Sequence, residues 1–338
     1  MSDRGDQVPG RVPDQVPLNP EMPMPMMEHL PPADQRAETA RLPETRGLWA
    51  TAFRELTHKR SAVIGMVMLA ILLLIAIFAP LLAPFSPIEA VGIKEGIPVR
   101  SSPCIHLFGC DASQPQHILG TDGNGRDEFS RLLYGARVSL LAGIGSVVVA
   151  VAVGTLLGLV SGFFGGRTDN LIMRVMDVLL AFPSLLLAIA IITVLGQGLI
   201  NAILAISIVT IPAYARVVRS AVLTVRENDY VAADRALGVS TARILWNRIL
   251  PNSLTPLVVQ ATLGVATAVL EIAALSFLGL GVRPPTAEWG SMLAAERNQV
   301  FTAPHLVFFP GLAIMWNVLA FNLLGDGLRD ALDPRLNR

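Results

Sequence analysis

Ala62-Val-Ile-Gly-Met-Val-Met-Leu-Ala-Ile-Leu-Leu-Leu-Ile-Ala-Ile-Phe-Ala-Pro-Leu-Leu-Ala83 contains no charged side chain and follows directly on the basic pair Lys59-Arg60. A bilayer core takes about 20 apolar residues in helix. The stretch therefore reads as a membrane crossing, and lipid becomes the solvent against which the rest of the chain is read.

Working outward, four more apolar blocks follow. Val138 to Gly166 is free of charge and opens a second span that should end near Gly158 to Gly162. Between Asp177 and Arg216 no residue is charged, enough for two crossings, with Gly196-Gln197-Gly198 as the turn between them. Leu254 to Val282 has only Glu271 as an ionisable residue, and Leu306 to Leu324 has none. About six spans result. Backbone donors in hydrocarbon must be satisfied internally, and runs of this length suit helices rather than short alternating strands, so the fold class is an all-α integral membrane bundle.

The organisation expected is a disordered cytoplasmic tail over 1–50, a first transmembrane helix over 61–83 and an external loop with a surface helix over 84–137. A five-helix core over 138–326 then contains a cytoplasmic loop at 226–251, and a cytoplasmic tail occupies 327–338.

Composition agrees with this reading and narrows the function. The 338 residues are 52% hydrophobic and 15% charged, too apolar for a water-soluble core of this length. Net charge is zero, so no basic field draws in nucleic acid. Cys104 and Cys110 make neither a zinc set nor a redox Cys-x-x-Cys motif. If outside, they either close a small disulfide loop or remain two free thiols. No metal site is expected. The Met-rich stretch Glu21-Met-Pro-Met-Pro-Met-Met27 is proline-dense and reads as disorder, and the polar start of the chain shows no signal-peptide pattern.

With an inside N-terminus, the outer segments hold only Lys94, Arg100, Arg126, Arg131, Arg137, Arg283 and Arg297, and the inner segments hold most of the remaining positive charge. Positive residues favour the cytoplasmic side. Both termini go inside, at the cost of a local conflict where Arg126, Arg131 and Arg137 crowd the outer end of span two.

Gly154, Gly158 and Gly162 lie one turn apart on one helix face, which suits close approach of a neighbouring helix. Between spans four and five, Arg226 to Pro251 is more organised than a connector needs and reads as two short helices. Asp229 can cap the first, Gly238 supplies the left-handed residue that ends it, Ser240 can cap the second, and Pro251 marks the approach to span five. Val231, Ala232, Ala236 and Leu237 leave a small apolar face, suited to a partner's groove or to this chain's own helix ends.

That segment resembles the cytoplasmic loop of bacterial ABC-importer permeases, whose pattern is Glu-Ala-Ala, three residues, Gly, a spacer, and Ile-x-Leu-Pro. By position, Ala232 stands where the Glu is expected, Ala233 matches the first Ala, Asp234 replaces the second, and Gly238, Leu250 and Pro251 agree. Ile249 lies one place late. The resemblance implies that the loop, including Asp229 and Tyr230, inserts into an ATPase subunit. Either Asp234 or Arg235 would then make the contact of the missing glutamate.

The long run from His117 to Leu140, with Gly120, Thr121, Asp122, Gly125, Arg126 and Asp127, resembles the outer signature of the second permease subunit of dipeptide, oligopeptide and nickel importers. Physically it is a glycine-flexible turn followed by a short helix, with Asp127 and Arg131 at i,i+4, lying at the membrane surface. Pro284 to Leu293 and Gly325 to Pro334 resemble the same subfamily. The likeness thus runs from the first span to the C-terminus and implies the MetI-like permease fold. It also implies a homologous second permease, two ATPases that bind the ATP and Mg, an external substrate-binding protein, and residence in a bacterial inner membrane.

No Gly-x4-Gly-Lys-Ser/Thr phosphate loop occurs, so the chain is expected to be a transport subunit without its own ATPase site and with no cofactor of its own. The expected cargo is dipeptides or short peptides, with nickel chelates, glutathione or haem as alternatives. A proton-coupled transporter would place paired ionisable groups near midplane, but only Glu271 is found. An intramembrane hydrolase would need a nucleophile and base on facing spans, and His305 sits only at a span's edge. Glu271 itself either lines the route and binds a substrate amino group, or bonds to a neighbouring helix.

Overall fold

The computed structural model describes residues 54–108, 110, 113 and 115–332; the N-terminal tail with its Met-rich stretch, and residues 333–338, lie outside them. The described residues form helices and turns, with one isolated bridge between Thr121 and Asp127 and no strand.

The first crossing, α1 (Arg60–Leu82), is a 23-residue helix close to the run read from sequence. After a one-turn helix, α2 (Val91–Lys94), the chain enters α3 (Glu128–Phe164). Its 37 residues give about 55 Å of helix at 1.5 Å per residue, well beyond a hydrocarbon core. The surface helix expected before residue 138 is in fact the first turns of this long span. Asp127 starts it early, because its side chain accepts from the Ser130 N–H at 2.7 Å and caps the helix.

The third crossing departs further from expectation. α4 (Gly166–Leu180) carries Arg167, Asp169, Arg174 and Asp177, and α5 (Ser184–Leu195) is uncharged; the two meet at 93° around Pro183. Proline cannot donate to the helical ladder and pushes its predecessor out of helical geometry, so the bend falls there. Only α5, 12 residues and about 18 Å, remains of a full span. The turn at Gly196-Gln197-Gly198 stands as read, with φ of 87° and 148° at the two glycines.

α6 (Leu199–Arg226) returns and is followed by a short helix, α7 (Asp229–Ala236). α8 (Thr241–Phe277) then runs 37 residues, passing through a π-turn at Leu245–Ile249. The second short helix expected here is therefore the first turn of a span. α9 (Trp289–Glu296) packs against α8 and α10 (His305–Leu332). α10 is helical through Leu332, so residues 327–332, expected as tail, belong to it. Among the described residues, five helices are long and apolar enough to cross, six if the broken α4–α5 pair counts as one.

Small residues set the packing. A Cβ on Gly154, Gly158 or Gly162 of α3 would stand 2.7 Å from Tyr214 Cβ, 2.6 Å from the Ala215 carbonyl and 2.9 Å from Val222 Cβ, so α3 and α6 touch backbone to backbone. Gly65 of α1 meets the Leu324 backbone of α10, and Lys59 pairs with Asp330 at 3.5 Å. The bundle thus has two ends: one carries α7, the other the loops 84–127 and 278–304.

Candidate functional site: an elbow at one end, a clamped cap at the other

The elbow begins where α6 ends. Asn228, with extended backbone, is the N-cap of α7, and Asp229 lies within the first turn, one place later than expected. Gly238 ends the helix at φ 74°, while the Gly238 and Val239 N–H groups bond back to the carbonyls of Arg235 and Asp234 at 3.0 Å each. Ser240 is the N-cap of α8 by backbone geometry.

Three fully buried aliphatics, Val231, Ile244 and Ile249, anchor this unit to the bundle. Polar braces add direction. Asp234 accepts from Arg248 Nε at 2.8 Å, Arg235 stacks over Phe163 at 5.2 Å, and Arg226 Nη1 donates to the Gly162 carbonyl at 2.8 Å. Both charged residues considered for an outward contact, Asp234 and Arg235, are thus used inside the chain. Of the expected apolar face, Val231 turns inward while Ala232, Ala236 and Leu237 stay exposed, and Ala233 and Tyr230 are exposed beside them. Ile249 is one place late in sequence yet buried. It ends a π-turn over Leu245–Ile249, whose hydrogen bonds span one residue more than those of an α-helix.

At the other end the signature residues form a clamp. Gly120 and Gly125 take positive φ of 79° and 72°, and a Cβ on Gly120 would collide with the Ser101 carbonyl. Asp122 accepts from the N–H groups of Asn124 and Arg126, and its other oxygen meets the Arg126 and Arg131 guanidinium groups at 2.7 and 3.3 Å. Arg131 therefore pairs with Asp122, not with Asp127 as its i,i+4 spacing suggested. Asp127 instead holds His117 at 2.8 Å, and His117 stacks on Phe85. Thr121 accepts from the Ser101 N–H at 3.1 Å. Of the three arginines that crowd this end, Arg126 and Arg131 are buried against Asp122 while Arg137 is exposed, and Arg100 pairs with Glu296 at 2.8 Å.

Sequence reasoning assigned no role to Glu288, Glu296, Arg100 or His117. Glu296 joins the cap to α9 by accepting from the Gly123 N–H at 2.8 Å. Glu288 caps α9, accepting from the Gly290 and Ser291 N–H groups at 2.9 and 2.8 Å; burial raises its carboxyl, and those two donors oppose the rise. A Glu directly before Trp-Gly-Ser was the legible signal for that cap. Cys104 and Cys110 are joined in a disulfide that closes the loop holding the Cys104 N–H to the His117 carbonyl at 2.8 Å.

Glu271 sits on α8, half-buried, facing the Ser184 hydroxyl at the start of α5, with Oε2 unpartnered among the described residues.

Residues 154–338, from mid-α3 through the elbow to the C-terminus, match the family described as binding-protein-dependent transport system inner membrane component. The chain belongs to that family. Residues 47–92, including α1, match the N-terminal transmembrane domain of oligopeptide transport permease C. The chain is 48% identical to the dipeptide transport system permease protein DppC of Alkalihalophilus pseudofirmus, over 85% of this chain and 90% of that one. It is 48% identical to the di/tripeptide permease DppC of Pseudomonas aeruginosa, covering 84% and 91%. The glutathione transport system permease protein GsiD of an Escherichia coli strain is 43% identical, covering 87% and 92%. A solved structure of the MetNI methionine ABC transporter, inward facing, superposes with TM-score 0.50 at 20% identity, over 60% of this chain and 96% of that one, and shows the shared fold. This family member is thus a multi-pass ABC-importer permease subunit, a transport component and not an enzyme.

Proposed function

We propose that this permease forms half of the translocation route of an ATP-driven importer of dipeptides and short peptides. The dipeptide and di/tripeptide permeases at 48% identity support that cargo over glutathione, whose permease stands at 43%. The elbow carries the mechanism: α7 is tied rigidly to α3 and α8 while Ala232, Ala233, Ala236 and Leu237 remain uncovered. A short stiff helix with a bare face is a handle for a separate motor.

Two ATPases binding ATP and Mg grip this elbow and its counterpart on a homologous second permease, and an external binding protein delivers peptide at the cap. ATP-driven closure of the ATPases rocks the two halves between outward and inward states. In this reading the elbow and both termini face the cytoplasm of a bacterial inner membrane, and the pairing of Arg126 and Arg131 with Asp122 supports placing the cap outside. Deleting 229–236 should abolish co-purification with the ATPases while the permease still inserts; normal co-purification would refute the elbow's role.

A further inference from the structure

α5 rises about 18 Å and so falls short of a hydrocarbon layer about 30 Å thick, which leaves the break at Ala181-Phe182-Pro183 short of a full crossing. Ala181, Phe182, Pro183 and Ser184 are all exposed on this chain. Irregular backbone at membrane depth persists only where protein covers it or water bathes it, so this face is not turned toward lipid.

Glu271 lies against the same face. Leu185 and Leu270, the chain neighbours of Ser184 and Glu271, line one apolar groove with Ala274 and Ile314, and beside it the Ser184 hydroxyl meets the Glu271 carboxylate. Its Oε2 is buried in this conformation and has no hydrogen-bond partner among the described residues, a carboxylate oxygen left without a donor inside the fold. Just before the break, Asp177 pairs with Arg216 at 2.6 Å with side chains 52% and 51% exposed, a second set of charges that demands water rather than lipid.

We infer that the face formed by 181–184 and Glu271 lines the water-filled route, and that Glu271 receives the positively charged amino terminus of the passing peptide. This rests on the importer reading above and adds to it a chemical requirement on the cargo. An ammonium group has three donors and suits a carboxylate with a free oxygen.

The test uses the assembled importer in membranes, with Cys104→Ser and Cys110→Ser as background. Single substitutions Ala181→Cys and Ser184→Cys are compared with Ile77→Cys, a 63% exposed position on α1. A small charged thiol reagent should label positions 181 and 184 at least tenfold faster than position 77. A dipeptide with a free amino group should slow labelling, its N-acetylated form should not, and Glu271→Gln should remove the protection while Glu271→Asp retains it. Labelling no faster than at 77, or equal protection by both peptides, overturns the inference even if the unmodified complex imports peptide. Failure of the unmodified complex to import peptide with ATP instead overturns the importer reading and, with it, the role given to Glu271.

Discussion

Asp122 holds two buried guanidinium groups with one carboxylate, and both arginines depend on it. Removing one partner of a buried ion pair costs about 3–5 kcal/mol because the other charge is stranded. Asp122→Ala should therefore lower the melting temperature of the detergent-purified protein clearly, and more than Lys59→Ala, whose exposed pair with Asp330 is the control. At the elbow, Gly238 has φ 74°, and a Cβ placed there would find no atom within 4 Å, so substitution acts through the backbone alone. A side chain in left-handed conformation costs about 1–2 kcal/mol. Gly238→Val should depress ATP-driven uptake at unchanged expression, and Gly238→Asn, which tolerates that conformation, should retain most of it. Gly238 and the Asp122 turn were visible as residues in the sequence. Their partners were not, because Arg248 lies fourteen residues from Asp234, and Glu296 lies far from Gly123 in the chain.

Among elements, the seam between α3 and α6 is a close approach sustained over three successive glycines, and these are not equivalent to others in α3. A Cβ at Gly158 meets the Ala215 carbonyl at 2.6 Å, whereas one at Gly145 finds Ile203 at an ordinary 3.6 Å. Gly158→Ala should lose about 1–3 kcal/mol through forced separation of the helices, and Gly145→Ala should be near neutral, as read by heating and size-exclusion chromatography. The glycine stripe announced this seam plainly in sequence. Element ends were harder to read. Charged Arg131 and Arg137 suggested that α3 began near residue 138, since hydropathy cannot show that Asp122 neutralises the first of them inside the fold. The broken third span was hidden for a related reason: the sequence stays apolar through Pro183, and a 93° bend changes direction without changing polarity.

Across the whole molecule, the crossings place an elbow and a clamped cap at opposite ends of one bundle, and α3 and α8 run through to connect them. Arg235 on Phe163 ties α7 to α3, and the cap's Asp127 starts that same α3. On the function proposed above, movement imposed on the elbow would be carried along this continuous 37-residue helix to the opposite end. Five of the crossings were legible because lipid demands a long apolar run of each, whereas the clamp depended on contacts between distant segments. The most direct test of the account is accumulation of a labelled dipeptide against its gradient in vesicles, with this permease present alone or together with its second permease, ATPases and binding protein. Uphill, ATP-dependent uptake should require the full set and vanish when residues 229–236 are deleted; uphill uptake by the permease alone would contradict the account.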